Sequence, residues 1–177
     1  MGVAARFETG VENIPLPSSP ALSWGEFALR EPELARFGAD RLTAAPAYRA
    51  TVRRTGAPRV RPVTPIFTSA GLFLFMEPTS PKGRDLRERG WFALHNGVPD
   101  NAGSGGEFCV EGRGFPVDDR QVWNHVADAA GYTPLDRYVL FEFHLSEARC
   151  HGYGDVPLPA TRKWTLDLPA AGVVPTS

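Results

Sequence analysis

The sequence has few cysteines, little net charge and no long apolar run. Its 177 residues include two cysteines and carry a net charge of −1. Cys109 and Cys150 form no C-x-x-C pair, and no signal peptide or bilayer-length apolar segment is recognisable, so we expect a cytoplasmic setting. The near-neutral charge gives no electrostatic argument for a nucleic acid or a membrane partner. We expect the Cys109 thiol, inside a predicted strand, to be buried and unreactive.

Common catalytic and metal-binding motifs are also missing. The sequence contains no H-E-x-x-H, P-loop, G-x-S-x-G or G-x-G-x-x-G pattern, and it contains no internal repeat. The four histidines show no metal-ligand spacing, and we predict no metal site. His125 is expected on an exposed helix face and His144 on the polar side of a strand. His95 leads into a loop, Asn96 to Gly106, and is a candidate for contacting a substrate.

Hydrophobic periodicity predicts a mainly β chain. The predicted strands are Tyr48 to Arg54, Ala57 to Phe67, Leu72 to Met76, Trp91 to His95, Glu107 to Phe115 with a bulge at Gly112, Tyr138 to Leu145, and Arg162 to Leu168. The predicted helices are Trp24 to Leu42 with a break before Pro32, Pro81 to Arg89, and Asp118 to Ala130 with an apolar stripe of Val122, Val126 and Ala129. Short strands joined by hairpin turns such as Thr55-Gly56 favour an antiparallel barrel over a parallel sheet.

The predicted short helix has an unusually well-marked start. Ser80 is a good N-cap, Pro81 fits the first helical position and Gly90 is a natural stop. The opening turn also carries Lys82 and Arg84. A helix start with free N–H groups, a hydroxyl and two cations is suited to an anion, most simply a phosphate. The alternative interpretation is a solvated, charged surface turn.

A preceding strand strengthens the anion-site hypothesis. Arg59 and Arg61 are two positions apart, so both point to one face while Val60 and Pro62 point to the other. We therefore expect cations from this strand and from the Ser80 turn to converge on one anionic ligand.

The same stretch resembles a known family. The runs Y-R-A-T-V-R-R-T-G-A-P-R-V-R-P-V-T-P-I-F and L-F-L-F-M-E-P-T-S-P-K-G-R-D-L, followed by W-F-A-L-H-N and G-G-E-F-C-V-E-G-R-G, resemble the FMN-binding split-barrel family that includes pyridoxamine 5′-phosphate oxidase. The resemblance covers roughly Tyr48 to Leu145. It implies a mainly β (α+β) fold, an antiparallel split β-barrel of six to seven strands with an N-terminal helix and small peripheral helices.

This fold implies a single domain overall. Residues 1–45 would be an arm and a helix packing on the barrel, 46–168 the FMN-binding barrel, and 169–177 a flexible tail.

The resemblance also implies a set of site residues. Arg61, Ser80 and Lys82 would hold the ribityl phosphate, and Glu107 would reach the flavin from the second subunit of a homodimer. The full implied cofactor-binding set is Arg59, Arg61, Pro62, Val63, Thr64, Phe75, Met76, Thr79, Ser80, Lys82, Arg84, Glu107 and Trp164.

Two departures from the oxidase pattern limit what the resemblance implies. Pro81 stands where the oxidase has a second basic residue, so either Arg84 substitutes one turn on or the phosphate is held less tightly. The terminal arginine–histidine pair that grips the pyridoxal substrate is not recognisable, and Arg162 and Trp164 are its nearest counterparts. The resemblance therefore does not imply the vitamin B6 activity.

The leading hypothesis is an FMN-dependent oxidoreductase acting on an unknown small molecule, with no acid or base residue identified. The alternatives are a reductase dependent on the deazaflavin F420, and a non-catalytic flavin- or haem-binding protein. A further alternative is a single-stranded nucleic-acid binder, in which arginines at positions 53, 54, 59 and 61 act with Phe67 and Phe73 as stacking platforms. The near-neutral net charge argues against this last function.

Overall fold

The computed structural model describes residues 21–153 and 161–166. Within these ranges the chain forms four helices and eight strands. The helices are α1 (Trp24–Arg30), α2 (Pro32–Ala44), α3 (Pro81–Arg89) and α4 (Arg120–Ala129). The strands are β1 (Ala47–Val52), β2 (Pro58–Val63), β3 (Ile66–Phe67), β4 (Leu72–Met76), β5 (Trp91–His95), β6 (Glu107–Val117), β7 (Val139–His151) and β8 (Thr161–Thr165). Most of the predicted N-terminal arm and the predicted tail lie outside the described residues.

The strands form one curled antiparallel sheet. Their order is β2-β1-β5-β6-β7-β4-β3, and β8 pairs with the second half of β7. The outermost strands of this order, β2 and β3, are separated in sequence by only Thr64 and Pro65. Because two residues must connect the opposite edges, the sheet has to roll up on itself. The predicted mainly β split barrel is confirmed.

The second predicted strand is divided in two, which corrects the continuous strand expected from Ala57 to Phe67. It breaks at Thr64-Pro65, after which β3 pairs with β4 and not with β1. Pro65 has no N–H to donate to a ladder and restricts the residue before it. The break therefore marks the point where the chain passes from one edge of the barrel to the other.

The strand β4 is buried on both faces. Leu72, Leu74 and Met76 belong to the main core inside the barrel, together with Phe27 and Leu34 of the N-terminal helices. The intervening Phe73 and Phe75 form a second core on the outside of the sheet.

Helix α4 covers this second core. The Trp123 ring lies 5.0 Å from the Phe75 ring, and Val126 is fully buried. The predicted stripe of Val122, Val126 and Ala129 is therefore wrong in part, because Ala129 is exposed and Trp123 is the main contact. Asp119 caps the helix by accepting hydrogen bonds from the backbone N–H groups of residues 121 and 122.

The bulge expected at Gly112 is present as a register shift between β6 and β7. Glu111 pairs with Glu147 and Gly112 pairs with Leu145, so Ser146 lacks an opposite residue on β6. A Cβ atom on Gly112 would lie 2.0 Å from the His144 carbonyl oxygen. Only glycine permits this close approach of the two backbones.

Candidate functional site

The start of α3 forms as the sequence predicts. Ser80 Oγ accepts a hydrogen bond from the Gly83 N–H at 3.2 Å and donates one to the Glu77 carbonyl at 2.7 Å. Pro81 occupies the first turn, and Gly90 ends the helix in the left-handed region with φ of 71°. Because Pro81 has no N–H and that of Gly83 is engaged by Ser80, the first turn presents the Lys82 N–H to a ligand.

A pocket of about 200 Å³ opens between β2 and this helix start. It is lined by Arg59, Arg61, Ser80, Pro81 and Lys82. The structure thus brings together four polar residues that the sequence placed on two separate elements. Three cations around one small pocket favour an anionic ligand. Their contact with a cofactor remains a prediction.

Arg59 is held in place by a carboxylate that sequence reasoning missed. Its Nε donates to Asp85 Oδ2 at 2.7 Å, and the Thr51 hydroxyl donates to the same oxygen at 3.0 Å. Asp85 lies in α3 and is 7% exposed. The local sequence around Asp85 does not indicate that it binds Arg59, because both of its partners lie on strands more than 20 residues away in the sequence.

Sequence reasoning also missed Arg49. Its side chain is 1% exposed and lies opposite Arg61 in the pairing of β1 with β2. Burial lowers the pKa of the Arg49 guanidinium to about 10, while the negative charge of Asp85 acts in the opposite direction. Burial also lowers the pKa of Lys82, and the positive charges of Arg49 and Arg61 lower it further. These cations therefore repel one another across the pocket.

Arg84 lies in a neighbouring pocket and not beside Lys82. That pocket, of about 320 Å³, is lined by Arg53, Arg54, Thr55, Arg59, Pro81, Arg84, Asp85 and Glu88. Two residues along a helix differ by about 200° in direction, so Lys82 and Arg84 point to opposite sides of Pro81. The two pockets share Arg59 and Pro81.

The remaining residues predicted on β2, β4 and the turn before α3 differ in accessibility. Pro62, Thr64 and Thr79 are exposed, and Val63 is half-buried against the main core. Phe75 and Met76 are buried, at 8% and 2% exposure, by the two cores of the protomer. Their side chains are therefore engaged in packing within the protomer, and their contact with a cofactor remains a prediction.

Glu107 and Trp164 do not line the cationic pocket. The Tyr153 hydroxyl donates to Glu107 Oε1 at 3.1 Å, and His95 Nε2 lies 3.9 Å from Glu107 Oε2. Trp164 packs on Phe27, with ring centroids 4.9 Å apart. The contribution of Glu107 across a dimer interface remains a prediction.

Arg162, the other residue considered for gripping a substrate, pairs with acidic residues at the junction of α1 and α2. It donates to the Glu31 carboxylate and lies 3.6 Å from that of Glu33.

The loop expected between Asn96 and Gly106 is closed at its base by one buried side chain. Asn96 is 5% exposed; its amide donates to the Gly106 carbonyl at 3.2 Å, and its Oδ1 accepts from the Phe108 N–H at 2.6 Å. A pocket of about 380 Å³ lies between this loop and the end of α2, lined by Arg41, Ala44, Ala45, Pro46, Tyr48, Asn96, Gly97, Val98, Pro99 and Ser104.

The other expected histidine and cysteine environments are mostly as predicted. His125 is exposed on α4, and His144 Nε2 lies 3.2 Å from Glu142 Oε1. Cys109 is half-buried and not buried as expected; burial and then the charge of Glu111 raise its thiol pKa to about 11, which favours an unreactive thiol. Over residues 21–153 and 161–166, no group of three His, Cys, Asp or Glu side chains is arranged to hold a metal ion.

Two other findings concern partners. Among the described helices, none combines the length and hydropathy that a membrane span requires. The stacking platforms of the nucleic-acid alternative are not available, because Phe73 is 4% exposed in the second core and Phe67 packs against Trp24. That correction removes the aromatic surface on which the alternative depends.

Comparisons with solved structures agree with the barrel. The chain is similar to a NimC/NimA family protein from Clostridium acetobutylicum, with a TM-score of 0.58 and 17% identity over 75% of this chain and 93% of that one. It is also similar to PhzG from Burkholderia lata in complex with tetrahydrophenazine-1-carboxylic acid, with a TM-score of 0.52 and 15% identity over 90% of this chain and 100% of that one.

A haem-binding protein from Mycobacterium smegmatis has the same fold, with a TM-score of 0.57 and 14% identity over 73% of this chain. This chain spans 57% of the length of that protein. No family model and no curated protein matches the sequence. A further structural neighbour is a putative pyridoxamine 5′-phosphate oxidase from Listeria innocua, and the split-barrel fold expected from the sequence is confirmed.

Proposed function

We propose that the protein is an FMN-dependent oxidoreductase that acts as a homodimer on a small molecule. The observation that carries the proposal is the pocket where Arg61 of β2 and Lys82 of α3 meet beside the Ser80 cap. A phosphate monoester carries about −1.5 to −2 charges at neutral pH and has three acceptor oxygens. Two cations and the N–H of Lys82 match that charge and those acceptors.

The residues that line the pocket fit the phosphate end of FMN. Arg61 and Lys82 would hold the phosphate, and Arg59, fixed by Asp85, would orient its neighbour on β2. The chain from Pro62 to Thr64 continues from this pocket along the edge of the sheet, with Pro62 and Thr64 exposed. When bound, FMN supplies hydride and electron transfer. The chain's own part is to bind, orient and shield the cofactor.

The outer face of β1 and β2 supports the proposed dimer. Tyr48 and Val60 point outward and are 49% and 51% exposed. Pro58 and Pro62 are exposed on the same face of β2. Contiguous exposed apolar side chains on a sheet are typical of a protein interface. A partner seated on this face would lie across β2 from the cationic pocket, because Arg59 and Arg61 point to the opposite face of the strand.

Titration with FMN tests the proposed site directly. We expect quenching of flavin fluorescence with a micromolar or lower Kd, and at least a tenfold weaker Kd for Lys82→Ala and Arg61→Ala. Arg36→Ala removes an exposed arginine of α2 and is expected to bind as the parent does. If both pocket variants bind FMN as tightly as the parent, the proposed phosphate site is wrong.

Turnover separates an enzyme from a carrier. The protein is mixed with FMN and NADH or NADPH under air, and absorbance at the nicotinamide band is followed. Oxidation faster than that caused by free FMN supports the oxidoreductase. Tight FMN binding without turnover of any donor tested supports a flavin carrier.

A second candidate cofactor is the deazaflavin F420. The specific observation in its favour is the neighbouring pocket, where Arg53, Arg54 and Arg84 could receive a longer anionic tail. If F420 is the cofactor, Arg84→Ala weakens F420 binding while FMN binding is unchanged. Equal affinities of parent and variant for F420 would argue against this candidate.

A haem-binding function is favoured by structural neighbours, among them a haem-binding protein from Mycobacterium smegmatis and the haem storage protein HutZ from Vibrio cholerae. None of the described residues that line the cationic pocket is a histidine, cysteine or methionine, the side chains that ligate haem iron. Titration with haemin tests this alternative: a Soret band that shifts with stoichiometric addition would support it.

A further inference from the structure

We infer that Arg49, buried behind the cationic pocket, makes that pocket select a doubly charged phosphate monoester over a singly charged phosphate diester. The inference rests on the proposed phosphate pocket, but it does not depend on flavin chemistry. Arg49 would act through its charge as a specificity-determining residue.

The position of Arg49 is unusual for a guanidinium. It is among the largest fully buried side chains, on the inner face of β1 directly opposite Arg61. Its Nη1 donates to Met76 Sδ at 3.0 Å, and within the described part of the chain its buried Nε has no hydrogen-bond partner. A thioether is a weak acceptor, and buried cations are ordinarily paired with an anion. The protein alone therefore leaves this charge poorly compensated.

The surrounding charges do not compensate Arg49 either. The negative charge of Asp85 acts on Arg49, but the Oδ2 of Asp85 already accepts hydrogen bonds from Arg59 and Thr51. Lys82 and Arg61 bring further positive charge, and the pKa of Lys82 is lowered first by burial and then by the positive charges of Arg49 and Arg61. The cluster thus holds four cations, Arg49, Arg59, Arg61 and Lys82, and one carboxylate, Asp85, an excess of positive charge that a multiply charged anion would neutralise.

The excess charge matters because it is buried. The attraction between a fixed cation and a ligand grows in proportion to the ligand's charge and is stronger at low dielectric. A monoester carries about −2 above its second pKa near 6, whereas a diester carries one negative charge. Arg49 therefore stabilises a bound monoester about twice as strongly as a bound diester. FMN ends in a monoester, whereas F420 contains a diester, so this selectivity would favour FMN.

A matched pair of non-flavin probes tests the inference. Phenyl phosphate and methyl phenyl phosphate differ by one methyl group and one charge, and their binding is followed by phosphorus NMR titration at pH 8. We expect the parent to bind the monoester roughly tenfold more tightly than the diester. Arg49→Met should lose roughly that preference, whereas Arg49→Lys should keep most of it. Arg36→Met, on an exposed arginine of α2, should bind both probes as the parent does.

The outcomes that overturn the inference are distinct from failure of the flavin proposal. If Arg49→Met weakened the binding of both probes by the same factor, Arg49 would act only by packing. A parent that binds both probes equally, or binds neither, would also overturn the inference, even if the methionine variant does not fold. If the selectivity is found but FMN and NAD(P)H give no turnover, only the proposed flavin activity fails.

Discussion

One carboxylate decides how the arginines of the pocket are arranged. Asp85 Oδ2 accepts hydrogen bonds from both the Arg59 Nε and the Thr51 hydroxyl, and these bonds join α3 to β1 and β2. The Arg59 and Asp85 side chains are 18% and 9% exposed. Ion pairs with little exposure are costly to break, because the remaining charge is left without a partner.

We expect Asp85→Asn to lower the free energy of unfolding by about 2–3 kcal/mol, the lower end for a buried pair because Arg59 is partly solvated. The measurement is urea denaturation, with an unchanged slope and a lower midpoint. Glu77→Gln is the control: its pair with Arg137 at 2.9 Å is more exposed, and we expect a loss below about 1 kcal/mol. Equal losses would contradict the structural role of Asp85.

At the scale of elements, two of the helices in the described part of the chain begin with a serine cap, and only one of these two faces the pocket. Ser23 caps α1 through a capping box with Glu26, and Ser80 caps α3. Each cap satisfies a backbone N–H of the first turn. The two serines therefore separate the contribution of capping from any contribution to ligand binding.

We expect Ser23→Ala and Ser80→Ala each to lower stability by about 1 kcal/mol. Only Ser80→Ala should weaken FMN binding, by roughly tenfold, because it loosens the turn that carries Lys82. Thermal denaturation and fluorescence titration of both variants provide the comparison. Similar FMN affinities for the two variants would argue against a role of the α3 start in the site.

The pairing of β6 with β7 depends on the glycine at the bulge. Gly112→Ala would place a Cβ 2.0 Å from the His144 carbonyl oxygen, and we expect a destabilisation of about 2 kcal/mol or more. Gly131→Ala is the control, because nothing lies within 4 Å of the added Cβ. Urea denaturation should show a much lower midpoint for the first variant and a near-parental midpoint for the second. A parental midpoint for Gly112→Ala would mean that β7 can move aside.

At the scale of the whole molecule, the proposed function places the site in a homodimer. The cationic pocket and the Glu107 side chain are on different parts of one protomer, and the outer face of β1 and β2 is apolar. Dimer formation through that face would cover Tyr48 and Val60. The oligomeric state is therefore a test of the site as well as of the surface.

We expect the parent to have the mass of a dimer in light scattering after size exclusion. Val60→Lys should give a monomer, because a buried lysine at an interface is not paired, and FMN binding should be lost with the dimer. Leu29→Lys changes a residue of α1 that is 86% exposed and should remain dimeric. A parent protein that is monomeric but binds FMN would contradict the proposed interface.

The sequence by itself determined the local structure and the candidate anion site. Three sequence features act through neighbouring residues, and the element that each predicts is found in the structure. They are the alternation along Tyr138 to Leu145, the apolar run from Leu72 to Met76, and the serine, proline and glycine around α3. The pattern of the Arg59 strand also predicted that Arg59 and Arg61 share one face.

Only the tertiary structure decided which residues stand behind those arginines. Asp85, Thr51 and Arg49 meet the pocket because the sheet brings β1 beside β2 and packs α3 across them. Such contacts cannot be read from the sequence, because the contacting residues lie far apart along the chain. A charged residue on a strand also gives the same sequence pattern whether its side chain is solvated or buried. The curl of the sheet, which joins its edges through Thr64 and Pro65, was likewise set by pairings between distant strands and not by any local preference.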